Sequence, residues 1–247
     1  METVVQKGSR GRKLYAIIVS TVAVLSIAAF LVVFFHAGYH AKILEKLGLK
    51  EKTAGTNHAL LAWENCLEQM HYDSDVVFFG DSITYMSNFS ASFPDVRIVN
   101  LGYSGDTLVG MAARVSMVQA VNPEKIFLMG GINGLTDANL NQSVNQYARL
   151  LDSLQEALPE SQIYIQSVLP IGKGKQTSLM CRDSTIVAFN RQLQKLAQER
   201  GLHYIELYTL YEKDGQLNPS FSEDGIHIKP DAYTAWEDAV RPFLTHN

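Results

Sequence analysis

From residue 76 onward the chain alternates short, continuous apolar runs with longer stretches of helical periodicity. Val76, Val77, Phe78 and Phe79 run apolar up to Gly80, and residues 96–101, 125–129, 163–169 and 203–207 repeat that character, so five strands are predicted. Apolar positions three and four apart predict helices over 108–121, 144–158, 184–200 and 231–244, the last opened by Pro230. In the second of these, Tyr147, Leu150, Leu151, Leu154 and Leu158 share one face. Leu60, Leu61, Trp63, Leu67 and Met70 repeat at helical spacing and predict an amphipathic helix that opens the domain. Strands alternating with helices imply parallel pairing through right-handed crossovers. Strands without polar alternation imply a sheet covered on both faces. The predicted fold is α/β: a three-layer α/β/α, doubly wound, five-stranded parallel sheet.

The N-terminus follows a different pattern. Residues 14–35 carry no charge, and a helix of that length at about 1.5 Å per residue reaches roughly 30 Å, the thickness of a bilayer core. The apolar region of a cleaved signal peptide is shorter, about 7–15 residues. The stretch therefore predicts a single transmembrane helix over 14–36, preceded by a basic cytoplasmic tail (1–13) and followed by a polar stalk (37–56) and a globular domain (57–247). Lys7, Arg10, Arg12 and Lys13 lie closer to the apolar run than Lys42, Lys46, Lys50 and Lys52 do. That asymmetry places the globular domain outside the cytoplasm.

Composition narrows the partners. The chain has 247 residues, 47% hydrophobic, with a formal net charge of −4. A 57–247 domain is long enough for one proper core. The mild acidity lacks the basic face that nucleic acid requires, so no nucleic-acid partner is expected. Cys66 and Cys181 could pair in an oxidising compartment, or stand as two separate thiols. His36 and His40 have the spacing of a helical metal pair, but they lie at the end of the apolar run with no third ligand near in sequence. The run Gly172-Lys173-Gly174-Lys175 lacks the spacing of a phosphate loop and reads as solvated surface.

In a doubly wound sheet, chemistry gathers in loops after the carboxyl ends of strands. Four such loops carry polar or glycine-rich groups. Gly80-Asp81-Ser82 puts a serine at a strand-to-helix turn, which suits either a nucleophile or a helix cap. Asn100-Leu101-Gly102-Tyr103-Ser104-Gly105-Asp106-Thr107 offers glycine N–H groups, and also ordinary turn and capping chemistry. Gly130-Gly131-Ile132-Asn133-Gly134 offers a neutral amide donor, or a turn tolerated by asparagine. Asp224-Gly225-Ile226-His227 places a carboxylate three residues from an imidazole. A carboxylate on one ring nitrogen leaves the other free to take a proton from a serine.

The four together, in this order, resemble the SGNH (GDSL-type) hydrolases, over nearly the whole span from residue 76 to 244. The resemblance implies the flavodoxin-like SGNH fold and a serine esterase. It implies Ser82 as nucleophile, His227 as base, Asp224 as its orienting acid, and an oxyanion hole from the Gly105 N–H and the Asn133 amide. The Gly-Asp-Thr pattern at 105–107 points to Gly105 rather than Gly102. Gly134 stands where the family often has Asp, and Ile228 follows His227, with Pro230 two places later. The substrate implied is a short-chain acyl ester, on carbohydrate or lipid, with no metal or cofactor. The same residues would serve an O-acyltransferase, and a tethered, non-catalytic binding module is a further alternative. Residues 173–183 are expected to overhang the site.

Overall fold

Five strands form one parallel sheet: β1 (Val76–Gly80), β2 (Ile98–Gly102), β3 (Lys125–Met129), β4 (Gln162–Gln166) and β5 (His203–Ile205), in the order β2-β1-β3-β4-β5. The computed structural model describes residues 74–244 together with Trp63, Cys66 and Leu67. Helices α1 (Ser82–Tyr85), α2 (Phe89–Ser92), α3 (Leu108–Ala113), α4 (Val115–Ala120), α5 (Leu140–Ala157), α6 (Lys173–Leu179), α7 (Asp183–Arg200), α8 (Tyr208–Tyr211) and α9 (Tyr233–Leu244) fill the crossovers and the C-terminus. The predicted five-stranded parallel α/β sheet is the observed one.

Successive strand residues point to opposite faces, and both faces are buried. Val77, Phe79, Ile126, Leu128, Ile163 and Ile165 face one core, under Tyr147, Leu150 and Leu154 of α5 and Phe189 and Leu193 of α7. Val76, Phe78, Ile98, Phe127 and Tyr164 face the other, under Phe89 of α2 and Trp236 and Val240 of α9. An aromatic ladder crosses this second face. Phe78, Phe127, Tyr164 and His203 are in register on β1, β3, β4 and β5, with ring centroids 4.9, 4.7 and 4.5 Å apart. Phe89 stacks on Phe78 at 3.9 Å and extends the ladder to α2. Stacked pairs of this kind contribute about 0.5–1.5 kcal/mol each beyond their area.

Four segments differ from the sequence expectation. Helix 108–121 is two helices, broken at Arg114, whose backbone leaves the helical region (φ −123°, ψ 26°). The apolar periodicity is continuous across the break, because both halves face the same core. Strands predicted over 163–169 and 203–207 stop at Gln166 and Ile205. Beyond them the backbone turns to side chains: the Leu207 and Tyr208 N–H groups donate to Ser167 Oγ (2.7 and 2.8 Å), and Val168 exchanges two bonds of 2.8 Å with the Asn190 amide. Val168 and Leu169 stay buried, so burial outlasts the ladder. Residues 173–179, expected only as an overhanging segment, form helix α6, which ends at Met180 in the left-handed region.

Of the predicted opening helix, Trp63, Cys66 and Leu67 are helical, and Leu67 is buried. No disulfide joins Cys66, which is exposed, to Cys181, which is buried. The apolar stretch 14–36, the tail, the stalk and the His36/His40 pair lie outside the described residues. Among the described residues, no helix is long and apolar enough to cross a membrane.

Candidate active site

The loop after β1 sets the first group. Asp81 caps α1, accepting the Ile83 N–H at 3.0 Å, and this turns Ser82 out of the strand at the helix start. Helix α1 is then pinned to β2. Asn100 Nδ2 donates to the Thr84 carbonyl (2.9 Å) and reaches the Ser87 carbonyl (3.2 Å). Gly102 lies directly beneath the helix, where a Cβ would meet the Tyr85 nitrogen at 2.2 Å, so only glycine permits the approach.

The loop before α9 sets the second group. Gly225, at φ +78°, lets the chain turn back between Asp224 and His227. Asp224 Oδ1 accepts the N–H groups of Ile226 (2.9 Å) and His227 (2.8 Å), while Oδ2 lies 2.7 Å from His227 Nδ1. Burial alone would raise the Asp224 carboxyl, but the His227 ring and these N–H donors outweigh it and hold it at about 2. A carboxylate can only accept, so Nδ1 carries the proton toward it and Nε2 is left with a lone pair. That nitrogen lies 2.9 Å from Ser82 Oγ. Ser82, His227 and Asp224 thus form one hydrogen-bonded line, joining positions 145 residues apart. A histidine so held can draw the proton from a serine attacking a carbonyl, then return it to a leaving group.

The other two loops meet beside this line. The turn from Tyr103 to Asp106 is closed by an N–H to carbonyl bond of 3.2 Å, with Gly105 at φ +75°. Tyr103 N–H in turn donates to the Gly80 carbonyl at 3.0 Å, tying this loop to the one that carries Ser82. Asn133 Nδ2 donates to the Asp106 carbonyl at 2.8 Å, so the amide and the Gly105 turn are locked together. The Gly102 N–H is engaged by Asn100 Oδ1 at 2.8 Å.

One residue outside the sequence expectation ties the loop of Gly105 to the ends of β1 and β2. Arg114, at the break between α3 and α4, is buried and donates to three acceptors: Asp106 Oδ2 (2.6 Å), the Leu101 carbonyl (2.7 Å) and the Gly80 carbonyl (2.9 Å). It also lies over the Phe79 ring at 4.4 Å. The guanidinium therefore fastens the ends of β1 and β2 to the loop of Gly105. Its signal in the sequence is a single basic residue inside an otherwise uncharged stretch, 108–121. Asp81, 1% exposed, is a second buried ionisable residue beside the site. Burial pushes its carboxyl up to about 6, aided by Asp106, against the Ile83 N–H, His227 and Arg114.

The family model of the GDSL-like Lipase/Acylhydrolase family matches residues 78–235, more than half of the chain. The chain belongs to this family. The GDSL-like assignment makes it a carboxylic ester hydrolase. A bovine (Bos taurus) relative, the isoamyl acetate-hydrolyzing esterase 1 homolog, is 26% identical over 186 residues, covering 63% of this chain and 75% of its own. Among solved structures, a Streptococcus pneumonia protein provisionally named a platelet activating factor superposes with a TM-score of 0.65 at 22% identity, over 84% of this chain and 99% of its own. A catalytic mutant of an acetylxylan esterase from Geobacillus stearothermophilus superposes at 0.55 and 18%, over 71% and 96%. At these identities the two structures speak for the fold alone.

The GDSL-like pattern departs from expectation at Gly134, and the structure shows what holds the loop instead. Asn139 Nδ2 donates to the Gly134 carbonyl (2.9 Å), and Asn139 Oδ1 accepts the Thr136 N–H (2.8 Å). Asp137 anchors the same loop to the segment after α6, through Arg182 and Thr185. On the far side, the Gly172 N–H donates to the Gly225 carbonyl at 2.8 Å, so the start of α6 rests on the loop of Asp224 and His227.

Proposed function

We propose that the chain is a serine esterase acting on short acyl esters, O-acetyl groups on carbohydrate first and lipid esters second. Ser82 is the nucleophile, His227 the general base and then acid, and Asp224 the group that orients it. The observation that carries this reading is the bridging of Ser82 and Asp224 by the two nitrogens of His227, at 2.9 and 2.7 Å.

The steps follow from the groups. His227 Nε2 takes the Ser82 proton as Oγ bonds to the ester carbonyl carbon. The developing oxyanion rests against the N–H groups of Ser82 and Gly105 and the Asn133 amide, which has a second hydrogen beyond the one given to Asp106. The tetrahedral intermediate collapses, the C–O bond to the alcohol breaks, and His227 hands that alcohol its proton. Water then enters, is deprotonated by His227, and releases the acid from the acyl-enzyme. Support for a short acyl group comes from the relatives' names, which denote esterases of isoamyl acetate and acetylxylan. The uncharged stretch 14–36 supports a single-pass anchor with this domain outside the cytoplasm.

The test is hydrolysis of p-nitrophenyl esters of increasing chain length by wild type and Ser82→Ala. Activity greatest on acetate, and reduced about 10³-fold or more in the variant, is the expected result. A folded Ser82→Ala protein that turns over at the wild-type rate would remove Ser82 from the reaction. Activity that climbs with chain length would favour lipid esters.

A further inference from the structure

A cavity of about 220 Å³ lies between α7 and the β5–α8 turn, away from the loops that carry Ser82. Its lining includes Asn190, Arg191, Gln194, Tyr204, Glu206 and Tyr208. Several of these are held in place by hydrogen bonds. Glu206 is exposed, yet Oε1 accepts from Ser167 Oγ (3.2 Å) and the Thr209 N–H (3.3 Å), and Oε2 from the Tyr204 hydroxyl (3.3 Å). The Tyr208 hydroxyl is tied to Asp183, and the Asn190 amide is fixed on both sides by Val168. Arg191 and Gln194 are exposed on α7, and Arg191 forms no ion pair among the described residues.

The chemistry of this wall is specific. One guanidinium and one carboxylate balance in charge, so the wall has no net charge to select an ion and offers strong local hydrogen-bond donors and acceptors instead. Both are planar groups able to bond two adjacent hydroxyls at once, and Gln194 adds an amide donor and acceptor. Two tyrosine rings supply flat apolar surface beside them. A neutral, hydroxyl-rich ring satisfies all these features, whereas an acyl chain would leave the charged groups unanswered. Position adds a constraint. Glu206 follows the carboxyl end of β5 as Ser82 follows that of β1, and β3 and β4 lie between. Three strand spacings of about 4.8 Å separate them laterally by roughly 14 Å along one edge of the sheet.

We propose that this cavity is a second, non-catalytic site that binds a sugar unit of the same glycan chain whose ester lies at Ser82, an inference that rests on the carbohydrate reading above. The site would hold a polymer in place while acyl groups along it are presented to the serine.

The test uses the full chain as Ser82→Ala, so that no ester is consumed, titrated with xylotetraose and with N-acetylchitotetraose and followed by ligand-observed NMR. At least one tetrasaccharide is expected to bind. Arg191→Ala and Gln194→Ala, added singly, are each expected to weaken it about threefold to tenfold, the loss of one or two hydrogen bonds. Both residues are on the outer face of α7, and circular dichroism checks that the variants fold. Failure of both saccharides to bind, or binding that is indifferent to both substitutions, would overturn the site. The esterase assay is run in parallel. A wild-type protein inert on every ester that still binds saccharide through Arg191 would discard the catalytic reading and leave this site standing.

Discussion

At the residue scale, two carboxyls near Ser82 are pushed in opposite directions, and the consequence is measurable. Asp224 is held at about 2, below its ordinary 3.8, so its favourable contribution to stability is complete above about pH 4 and is lost as pH falls toward 2. Asp81 is raised to about 6, so the folded state binds its proton more tightly than the unfolded chain does. Its ionisation therefore costs stability above pH 6, and that cost fades as pH falls from 6 toward 3.8. Asparagine keeps the capping bond to Ile83 and carries no charge. Asp81→Asn is expected to be more stable than wild type at pH 8, on the order of 2–3 kcal/mol for a shift of this size, and to match it near pH 4. Urea melts at the two pH values read this directly, and a constant difference between them would show that Asp81 is not the titrating group. Asn133 tests the neighbouring wall. If its amide receives the oxyanion, Asn133→Ala should lower kcat on p-nitrophenyl acetate about 10²- to 10³-fold. A change confined to KM would assign it to ground-state binding.

At the scale of elements, Arg114 shows how a break in a helix can be the functional feature. The guanidinium has to reach inward to Asp106 and to two strand-end carbonyls, and the backbone leaves the helix to let it do so. Removing one partner of a buried pair leaves the other charge uncompensated, at about 3–5 kcal/mol. Arg114→Met should lose stability on that order in urea melts. Arg114→Lys keeps the charge but cannot present a fork to three acceptors. It should recover part of the stability yet lower kcat about 10- to 100-fold, as the loops of Ser82 and Gly105 drift from register. Wild-type kcat in Arg114→Lys would mean that the hub only stabilises the fold. The same residue marks where sequence reading stopped. Strand identity and the positions of Ser82, Asn133, Asp224 and His227 were legible, because apolar runs and short polar motifs are local signals. The break at Arg114, the early ends of β4 and β5, and the support of the Asn133 loop by Asn139 were not. The first two depend on a side chain meeting a backbone group from another element, and the third on a side chain bonding the backbone of its own loop; hydrophobic period carries no trace of either.

At the scale of the whole molecule, the order β2-β1-β3-β4-β5 sends the crossovers that leave β1 and β3 to opposite faces and opens a crevice between the carboxyl ends of these two neighbours, where Ser82 follows β1. The aromatic ladder beneath makes that edge a rigid base, so the loops can be set by a few polar bonds. The proposed single-pass anchor would set the side of a membrane on which the sheet works. The uncharged stretch 14–36 and its basic leading flank argue for the outer side, and the two cysteines make this testable without altering the chain. Cys66 is exposed, whereas Cys181 is fully buried, with its thiol pushed up to about 12 by burial and by Asp137 and Asp183. A membrane-impermeant maleimide can therefore report only on Cys66 in the folded protein, since reaction requires an accessible thiolate. With the domain outside the cytoplasm, intact cells should give a singly labelled chain, and Cys66→Ser should abolish the signal. Labelling that appears only after lysis would put the domain on the inner side, and would reverse the topology argued from the flanking charges.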